Sequence, residues 1–261
     1  MSRIAESVEA ANRDGRMALA IYLTAGYPTK EDFEGLVPDL APLVDLIEIG
    51  VPFSDPMADG VSIQHASFEA LKNGVTLEWI FEVVDRLKTA TPLVLMSYLN
   101  PLLAYGQDRL VDASAKSGVS GFIIPDLPYE ESGPTAKSLF AADLDLVQMV
   151  TPATPDDRMR ILCAYSRGFV YAVTRTGTTG GNVQGNDTLT GYLDRVRVKS
   201  HIPVLAGFGI RAPQHIRAIA GHANGVVVGS AIVDALKAGD DVLRLVQQLK
   251  DATRAHNEVS T

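Results

Sequence analysis

Eight short runs rich in apolar and β-branched residues recur along the chain, and they restrict its fold more than any other feature. They cover residues 19–24, 44–49, 93–97, 121–125, 146–150, 169–173, 204–207 and 225–229. Between the runs, apolar residues recur at helical spacing, as in Leu77, Ile80, Phe81, Val84 and Leu87. Strand and helix therefore alternate about every 30 residues, which is typical of parallel β-strands joined by crossover helices.

Two α/β architectures share this alternation, the open doubly wound sheet and the closed barrel. Eight units in 261 residues favour the (β/α)8 TIM barrel. No linker or charge block divides the chain, so the sequence predicts a single domain over residues 1–261. Residues 2–13, with Ile4 and Val8 one turn apart, predict an extra N-terminal helix that closes the barrel floor. Thr154 and Pro155 predict a helix start, with Thr154 as its cap.

Composition limits which ligands the chain can bind and which cellular compartment suits it. The formal net charge of -8 disfavours nucleic acid, although it leaves room for a small phosphorylated ligand bound by backbone amides. The single cysteine, Cys163, cannot form an internal disulfide and fits a reducing compartment. No apolar run approaches the roughly 20 residues that span a bilayer, and the N-terminus lacks the apolar core of a secretory signal. We expect a soluble cytoplasmic protein.

Residues 46–60 place two carboxyl groups where a barrel has its active site. Glu48 interrupts an apolar run, and Asp59 lies in the loop that follows it. A carboxyl group in apolar surroundings has a raised pKa and suits a proton donor, whereas one in a polar loop stays ionised. The pair therefore indicates acid and base catalysis. The alternative for Glu48 is a structural ion pair with an arginine, and for Asp55 turn formation is the better interpretation.

Glycines after the seventh and eighth runs indicate a phosphate site. Gly207-Phe-Gly209 and Gly229-Ser230 lie where many barrels bind phosphate through backbone amides, although such glycines also serve simply to make tight turns. The segment from Gly207 to Ala212 also fits a dinucleotide-binding fingerprint. That motif belongs at the first βα turn with an acid ending the next strand, and here the nearest acid, Asp234, lies within the following helix. We reject the dinucleotide interpretation.

Residues 176–188 contain four glycines and one aliphatic side chain, which favours a mobile lid over a plain surface linker.

Three other kinds of catalytic site find no support in the sequence. The histidines lack the spacing of metal ligands, which argues against a metal site. No lysine ends a predicted strand, where a Schiff-base aldolase would need it. Ser97 and Cys163 lack a recognisable base partner, so a covalent nucleophile is not supported.

The segment Glu48-Ile-Gly-Val-Pro-Phe-Ser-Asp-Pro-Met-Ala-Asp-Gly60 resembles the signature of the tryptophan synthase alpha subunit family. Further segments in the order of that family lie at residues 22–28, 96–101, 124–128, 175–180, 207–210 and 229–233. The resemblance therefore covers essentially the whole chain. It implies a barrel that cleaves indole-3-glycerol phosphate to indole and glyceraldehyde 3-phosphate, a retro-aldol step of tryptophan biosynthesis that needs no cofactor in this chain.

The resemblance also implies residue roles. Glu48 would protonate indole C3 and assist deprotonation of the glycerol hydroxyl, while Asp59 would accept a hydrogen bond from the indole N–H. Tyr171 would line the site, and Thr179 in the lid would contact Asp59 on closure. The phosphate would be bound by backbone groups at Gly180, Gly209, Gly229 and Ser230.

Family members pair with a beta subunit that carries pyridoxal phosphate, forming an alpha2beta2 heterotetramer, and residues 52–55, 100–101 and 128–132 match the partner-facing side. Departures from the family pattern occur at Val61, Leu99 and Thr178. Three alternatives stay open: a free-standing indole-releasing lyase, a non-catalytic allosteric barrel subunit, and another phosphate-binding barrel such as a flavin enzyme.

Overall fold

Eight parallel strands form a closed barrel within the part of the chain that the computed structural model describes, residues 2–174, 189–207 and 209–254. The strands are β1 (Ala18–Thr24), β2 (Leu46–Gly50), β3 (Leu93–Met96), β4 (Gly121–Ile123), β5 (Asp145–Val150), β6 (Val170–Val173), β7 (Val204–Gly207) and β8 (Gly225–Val228). Each strand pairs with the next in sequence, and β8 pairs with β1. The predicted barrel is confirmed, and the open sheet is wrong because it would leave β1 and β8 as separate edges.

Helices cover the outside of the barrel and connect its strands. They are α1 (Arg3–Arg13), α2 (Lys30–Leu40), α3 (Val61–Lys72), α4 (Leu77–Leu87), α5 (Leu99–Tyr105), α6 (Gln107–Ser117), α7 (Gly133–Ala141), α8 (Asp156–Tyr165), α9 (Leu189–Lys199), α10 (Pro213–Arg217), α11 (Ser230–Ala238) and α12 (Val242–Ala252). The side chains of Ser2, Thr29, Thr76 and Asp241 accept N-terminal amide hydrogen bonds and so define where four of these helices begin. None of the described helices is long and apolar enough to cross a membrane.

Side-chain alternation along the strands produces two apolar layers. In β2, Leu46 points into the barrel, whereas Ile47 and Ile49 pack among the residues that face the surrounding helices. Ile4 and Val8 of α1 belong to the inner layer and are fully buried. The N-terminal helix therefore closes the barrel floor, as the sequence predicts, and leaves the opposite end of the barrel to the loops after the strands.

One predicted helix start is wrong. The sequence predicts Thr154 as the cap of α8, but Pro155 occupies that position and provides no side-chain hydrogen bond. The Thr154 hydroxyl instead accepts a hydrogen bond from the Thr151 amide at 2.9 Å, within the turn that leaves β5. Because the hydroxyl serves this earlier turn, α8 begins one residue later than the pattern indicates.

Candidate active site

Glu48 is a buried carboxyl group inside the barrel. It lies two residues after Leu46 on β2, so strand alternation directs both side chains inward. Its side chain is buried, with 1% exposure, and Oε2 has no hydrogen-bond partner among the described residues. Burial, with a smaller effect from the nearby charge of Asp59, raises the pKa of Glu48 to about 8. The described residues provide no arginine that pairs with Glu48, which disfavours the structural ion pair.

Asp59 faces the same space from the loop between β2 and α3. A turn in which the Asp59 amide donates to the Pro56 carbonyl at 3.2 Å folds this loop inward, and the residue is 8% exposed. Burial raises the pKa of Asp59 to about 6, although a hydrogen bond from Tyr98 opposes the rise. The loop is thus less polar around Asp59 than the sequence suggests, since the carboxyl group is buried. At pH 7 the group is nonetheless mainly ionised, because that pH lies above its pKa.

Tyr98 holds the Asp59 loop in place and was missed in the sequence. It immediately precedes α5, and its hydroxyl accepts a hydrogen bond from the Ala58 amide at 2.8 Å while bonding to the Asp59 side chain. Its ring packs against Phe53 with the centroids 5.3 Å apart. A tyrosine directly after the third strand was a usable signal, but its partners lie about 40 residues earlier, and sequence spacing does not reveal such a contact.

Two further tyrosines line the cavity, and each packs against a glycine on a neighbouring strand. Tyr22 lies opposite Glu48 in the β1–β2 register, and Tyr171 lies on β6. A Cβ atom at Gly50 would overlap the Tyr22 phenol, and one at Gly207 would overlap the Tyr171 phenol. Burial raises the pKa of both phenols well above the usual value. Both phenols therefore remain neutral, and Gly207, the last residue of β7, leaves space for the Tyr171 side chain.

The cavity brings together most of the predicted site residues. It is lined by Tyr22, Glu48, Asp59, Gly60, Ile63, Met96, Tyr171, Gly209, Ile210, Val227, Gly229 and Ser230. Apolar side chains thus surround two carboxyl groups at one part of the cavity and glycine-rich backbone at another. Such a combination suits a ligand with a flat apolar group and an anionic end.

Gly209, Gly229 and Ser230 form the glycine-rich part of the cavity wall. Gly209 has a φ of 95°, a left-handed conformation that favours glycine. Gly229 precedes α11 and Ser230 is its first residue, so the start of this helix, where backbone amides have no carbonyl partner within the helix, lies beside the cavity. Those amides and the positive end of the helix dipole favour an anion there.

Other predicted residues lie elsewhere. Thr179, Gly180 and the remainder of the predicted lid at 176–188 are outside the described residues. Asp55 is exposed, and its carboxylate accepts a hydrogen bond from the Ser54 hydroxyl at 2.6 Å, which agrees with a role in the turn. Within residues 2–174, 189–207 and 209–254, no group of three or more histidine, cysteine or acidic side chains is arranged to hold a metal ion.

Comparison with known proteins places this geometry in a family. The profile of the family described as "Tryptophan synthase alpha chain" matches residues 8–260. The tryptophan synthase alpha chain of Chloroflexus aurantiacus is 43% identical over 241 residues, which cover 91% of each chain. The Bacillus cereus alpha chain is 38% identical over 255 residues, covering 96% of this chain and 99% of the relative.

Solved structures agree with the sequence relatives. A chain of Mycobacterium tuberculosis tryptophan synthase superposes with a TM-score of 0.89 at 35% identity, covering 97% of this chain and 98% of that one. The tryptophan synthase alpha chain of Legionella pneumophila superposes with a TM-score of 0.86 at 28% identity over 99% of both chains. Family profile, curated relatives and structures all span nearly the full chain. The chain therefore belongs to the tryptophan synthase alpha chain family.

Proposed function

We propose that this chain cleaves indole-3-glycerol phosphate to indole and glyceraldehyde 3-phosphate, with Glu48 and Asp59 as its catalytic residues. One observation carries the proposal: two buried carboxyl groups with raised pKa values share a cavity with the glycine-rich start of α11. A retro-aldol cleavage needs a proton delivered to carbon and another removed from oxygen. The substrate also carries an apolar ring at one end and a phosphate at the other, matching the two parts of the cavity.

Glu48 moves both protons in this proposal. With a pKa of about 8 it is protonated at neutral pH, so it donates a proton to indole C3. The carboxylate that results accepts the proton of the glycerol hydroxyl on the carbon bonded to C3. As this hydroxyl loses its proton, its C–O bond becomes the aldehyde carbonyl and the bond between that carbon and indole C3 breaks. The electron pair of the broken C–C bond returns to the ring and restores the aromatic indole. Glu48 ends the cycle protonated again, and no oxidant or reductant takes part.

Asp59 stabilises the ring while C3 carries the extra proton. Protonation of C3 leaves positive charge on the ring nitrogen, and a carboxylate that accepts the N–H hydrogen bond stabilises that charge. The pKa of about 6 keeps Asp59 mainly ionised at pH 7, as this role needs. Tyr171 lines the ring site, and Thr179 contacts Asp59 when residues 176–188 close over the substrate.

The phosphate binds to backbone groups at Gly180, Gly209, Gly229 and Ser230. Support comes from Gly209, Gly229 and Ser230, which lie on the cavity wall at the start of α11. Unpaired amides at a helix start bind an anion without requiring a basic side chain. This mode of binding fits a chain whose formal net charge is -8.

The partner in this proposal is a tryptophan synthase beta subunit in an alpha2beta2 heterotetramer. That subunit carries pyridoxal phosphate, whereas this chain uses no cofactor of its own. Support comes from three exposed apolar side chains beside the loops expected to face the partner: Met57 at 73% exposure, Val61 at 82% and Leu103 at 60%. Exposed apolar groups that cluster on a surface are typical of a protein interface, and Met57 and Leu103 each follow one of the expected loops by two residues.

The test is indole release from indole-3-glycerol phosphate by the purified chain, measured before and after addition of a beta subunit. We expect release by the chain alone and acceleration on addition. Release without acceleration would make the chain a free-standing lyase, and no release under either condition would overturn the proposed chemistry. Acceleration of the partner's own reaction by a chain that itself releases no indole would favour a non-catalytic allosteric subunit.

A further inference from the structure

Arg211 connects the two loops that form the glycine-rich part of the cavity. It follows Gly209 and Ile210, which line the cavity, and its side chain extends to α11. Nη1 donates a hydrogen bond to the Ser230 hydroxyl at 2.9 Å, and Nη2 pairs with the Asp234 carboxylate. The backbone amide of Arg211 donates to His215 Nδ1 at 3.2 Å. The residue is therefore held at both its backbone and its guanidinium.

The hydrogen bond from Arg211 determines what the Ser230 hydroxyl can do. A hydroxyl has one proton to donate and two lone pairs that accept. One lone pair of Ser230 is taken by a cationic donor, which leaves the proton available for an acceptor in the cavity. Donation from a charged group also polarises the O–H bond and makes the hydroxyl a stronger donor.

Asp234 keeps the guanidinium in this orientation. It lies one turn after Ser230 on α11, and its carboxylate also accepts a hydrogen bond from Ser62 near the start of α3. An arginine presents several donors in a fixed planar fork, so fixing Nη2 on Asp234 directs Nη1 toward Ser230. A lysine, with a single ammonium group on a flexible chain, could not impose the same geometry on both partners.

A second observation shows that the cavity beside Ser230 is built for a ligand. Glu48 lines the same cavity, is 1% exposed, and its Oε2 has no hydrogen-bond partner among the described residues. A polar atom this deeply buried is normally satisfied. The ligand that approaches Glu48 therefore occupies the cavity that also opens onto Ser230.

We propose that Arg211 is a positioning residue for the phosphate end of the substrate. It holds the Ser230 hydroxyl as a donor toward a phosphate monoester, and so increases the preference of the site for a phosphorylated ligand over the same ligand without phosphate. The inference rests on the proposed function, since it assigns the phosphate to this part of the cavity. Arg211 acts through Ser230 and does not touch the carbon atoms that react.

Binding of two probes tests the role of Arg211. We expect Arg211→Gln to weaken binding of glycerol 3-phosphate about 10-fold, within the range for loss of a charge-assisted hydrogen bond, while binding of indole is unchanged in calorimetric titrations. Arg211→Lys should lose nearly as much. The matched control is Arg217→Gln, which removes the same charge from an exposed residue at the end of α10 and should bind both probes like the wild type.

A double-mutant cycle separates positioning from a general structural effect. If Arg211 acts through Ser230, Arg211→Gln should add less than 2-fold to the loss already caused by Ser230→Ala. Fully additive losses, equal weakening of glycerol 3-phosphate and indole, or unchanged binding of both would overturn the inference. The same variants should raise KM for indole-3-glycerol phosphate while leaving kcat within about 2-fold.

Failure of the role assigned to Arg211 can be distinguished from failure of the proposed function. If the wild-type chain releases no indole but binds glycerol 3-phosphate in a manner that depends on Arg211 and Ser230, the proposed reaction fails and the assignment of Arg211 stands. If the chain releases indole and Arg211→Gln changes neither KM nor glycerol 3-phosphate binding, the reaction stands and the assignment of Arg211 fails.

Discussion

Glu48 is buried, its Oε2 has no hydrogen-bond partner among the described residues, and the fold tolerates it because the side chain is protonated at neutral pH. An ionised carboxylate at this position would lose its hydration without gaining a counter-charge, which is costly inside a protein. The raised pKa of Glu48 reflects that cost directly. The sequence indicated this much, because an acid within an apolar run on a barrel strand has few places to point other than the interior.

The pKa of Glu48 predicts how stability depends on pH. The folded pKa of about 8 lies above the ordinary value of 4.5, so the folded state binds more protons and the free energy of unfolding falls as pH rises between those values. Glu48→Gln should remove much of this decline and make the protein more stable than the wild type at pH 8.5, with little change near pH 4.5. Urea unfolding at the two pH values measures the effect.

Glu82→Gln is the matched control for the stability measurement, because Glu82 is exposed on α4 and the substitution removes the same charge. It should leave the pH dependence of unfolding as it is in the wild type. A Glu48→Gln protein that loses stability equally at both pH values would contradict the assignment of a buried, protonated Glu48.

The two carboxyl groups together predict a bell-shaped pH profile. In the proposed mechanism cleavage needs Asp59 ionised and Glu48 protonated, so kcat/KM should rise with pH through about 6 and fall through about 8, the pKa values of the two groups in the free protein. Initial rates of indole release from about one pH unit below the lower pKa to about one unit above the higher pKa would reveal both limbs. A profile that increases steadily to pH 9 would contradict proton donation by Glu48.

The loop between β2 and α3 depends on an element distant in sequence. Tyr98, at the start of α5, bonds to both the Ala58 amide and the Asp59 side chain. The sequence identified Asp59 from its position after a strand, but it could not identify Tyr98, because that contact exists only once β2 and β3 are adjacent. Its hydrogen bond to Asp59 lowers the pKa of the carboxyl group.

Tyr98→Phe should therefore shift the acidic limb of the pH profile to higher pH. The pKa of Asp59 rises when a hydrogen bond to its ionised form is removed. The variant should also lose about 1 kcal/mol of stability, since the Ala58 amide loses its acceptor. The pH profile and a urea titration of the same protein measure the two effects, and an unmoved acidic limb would show that Tyr98 does not act on Asp59.

Gly207 illustrates how a strand end is fitted to its neighbour. Gly207→Ala should destabilise the protein by about 1–3 kcal/mol, because the new methyl group overlaps the buried Tyr171 phenol. Gly35→Ala is the control: Gly35 is exposed in α2 with open space around it, and alanine there should stabilise by about 0.5–1 kcal/mol. Thermal unfolding measures both variants, and effects of the same sign would contradict the packing argument.

Much of this fold is predictable because the barrel repeats one strand and helix unit eight times, and the repeat is visible as periodicity in the sequence. The N-terminal helix α1 is predictable as well, since Ile4 and Val8 lie on one of its faces. Element ends were less predictable, because hydrogen bonds such as that between Thr154 and Thr151 compete with helix capping. The active-site carboxyl groups followed from their places at strand ends, whereas Tyr22 and Tyr98 required the neighbouring strands to be in register.

The two ends of the barrel differ: α1 closes the floor, and the candidate active site lies at the opposite end. α1 seals the interior at the floor, while the cavity at the other end is lined by residues from β1, β2, β3, β6 and β8 and by the loops after β2, β7 and β8. No single unit contains the complete site. The two carboxyl groups come from the second unit and the backbone proposed to bind phosphate from the seventh and eighth, so the proposed site is complete only when the barrel closes.

The most direct test of the two-carboxyl site is single-turnover indole release from indole-3-glycerol phosphate at pH 7 with the beta subunit present. Glu48→Gln and Asp59→Asn should each reduce the rate by on the order of 100-fold or more, the contribution of a general acid or base. Their controls, Glu82→Gln and Asp85→Asn on the exposed face of α4, should react at the wild-type rate. A Glu48→Gln or Asp59→Asn protein that retained most of the wild-type rate would contradict the role assigned to that carboxyl group.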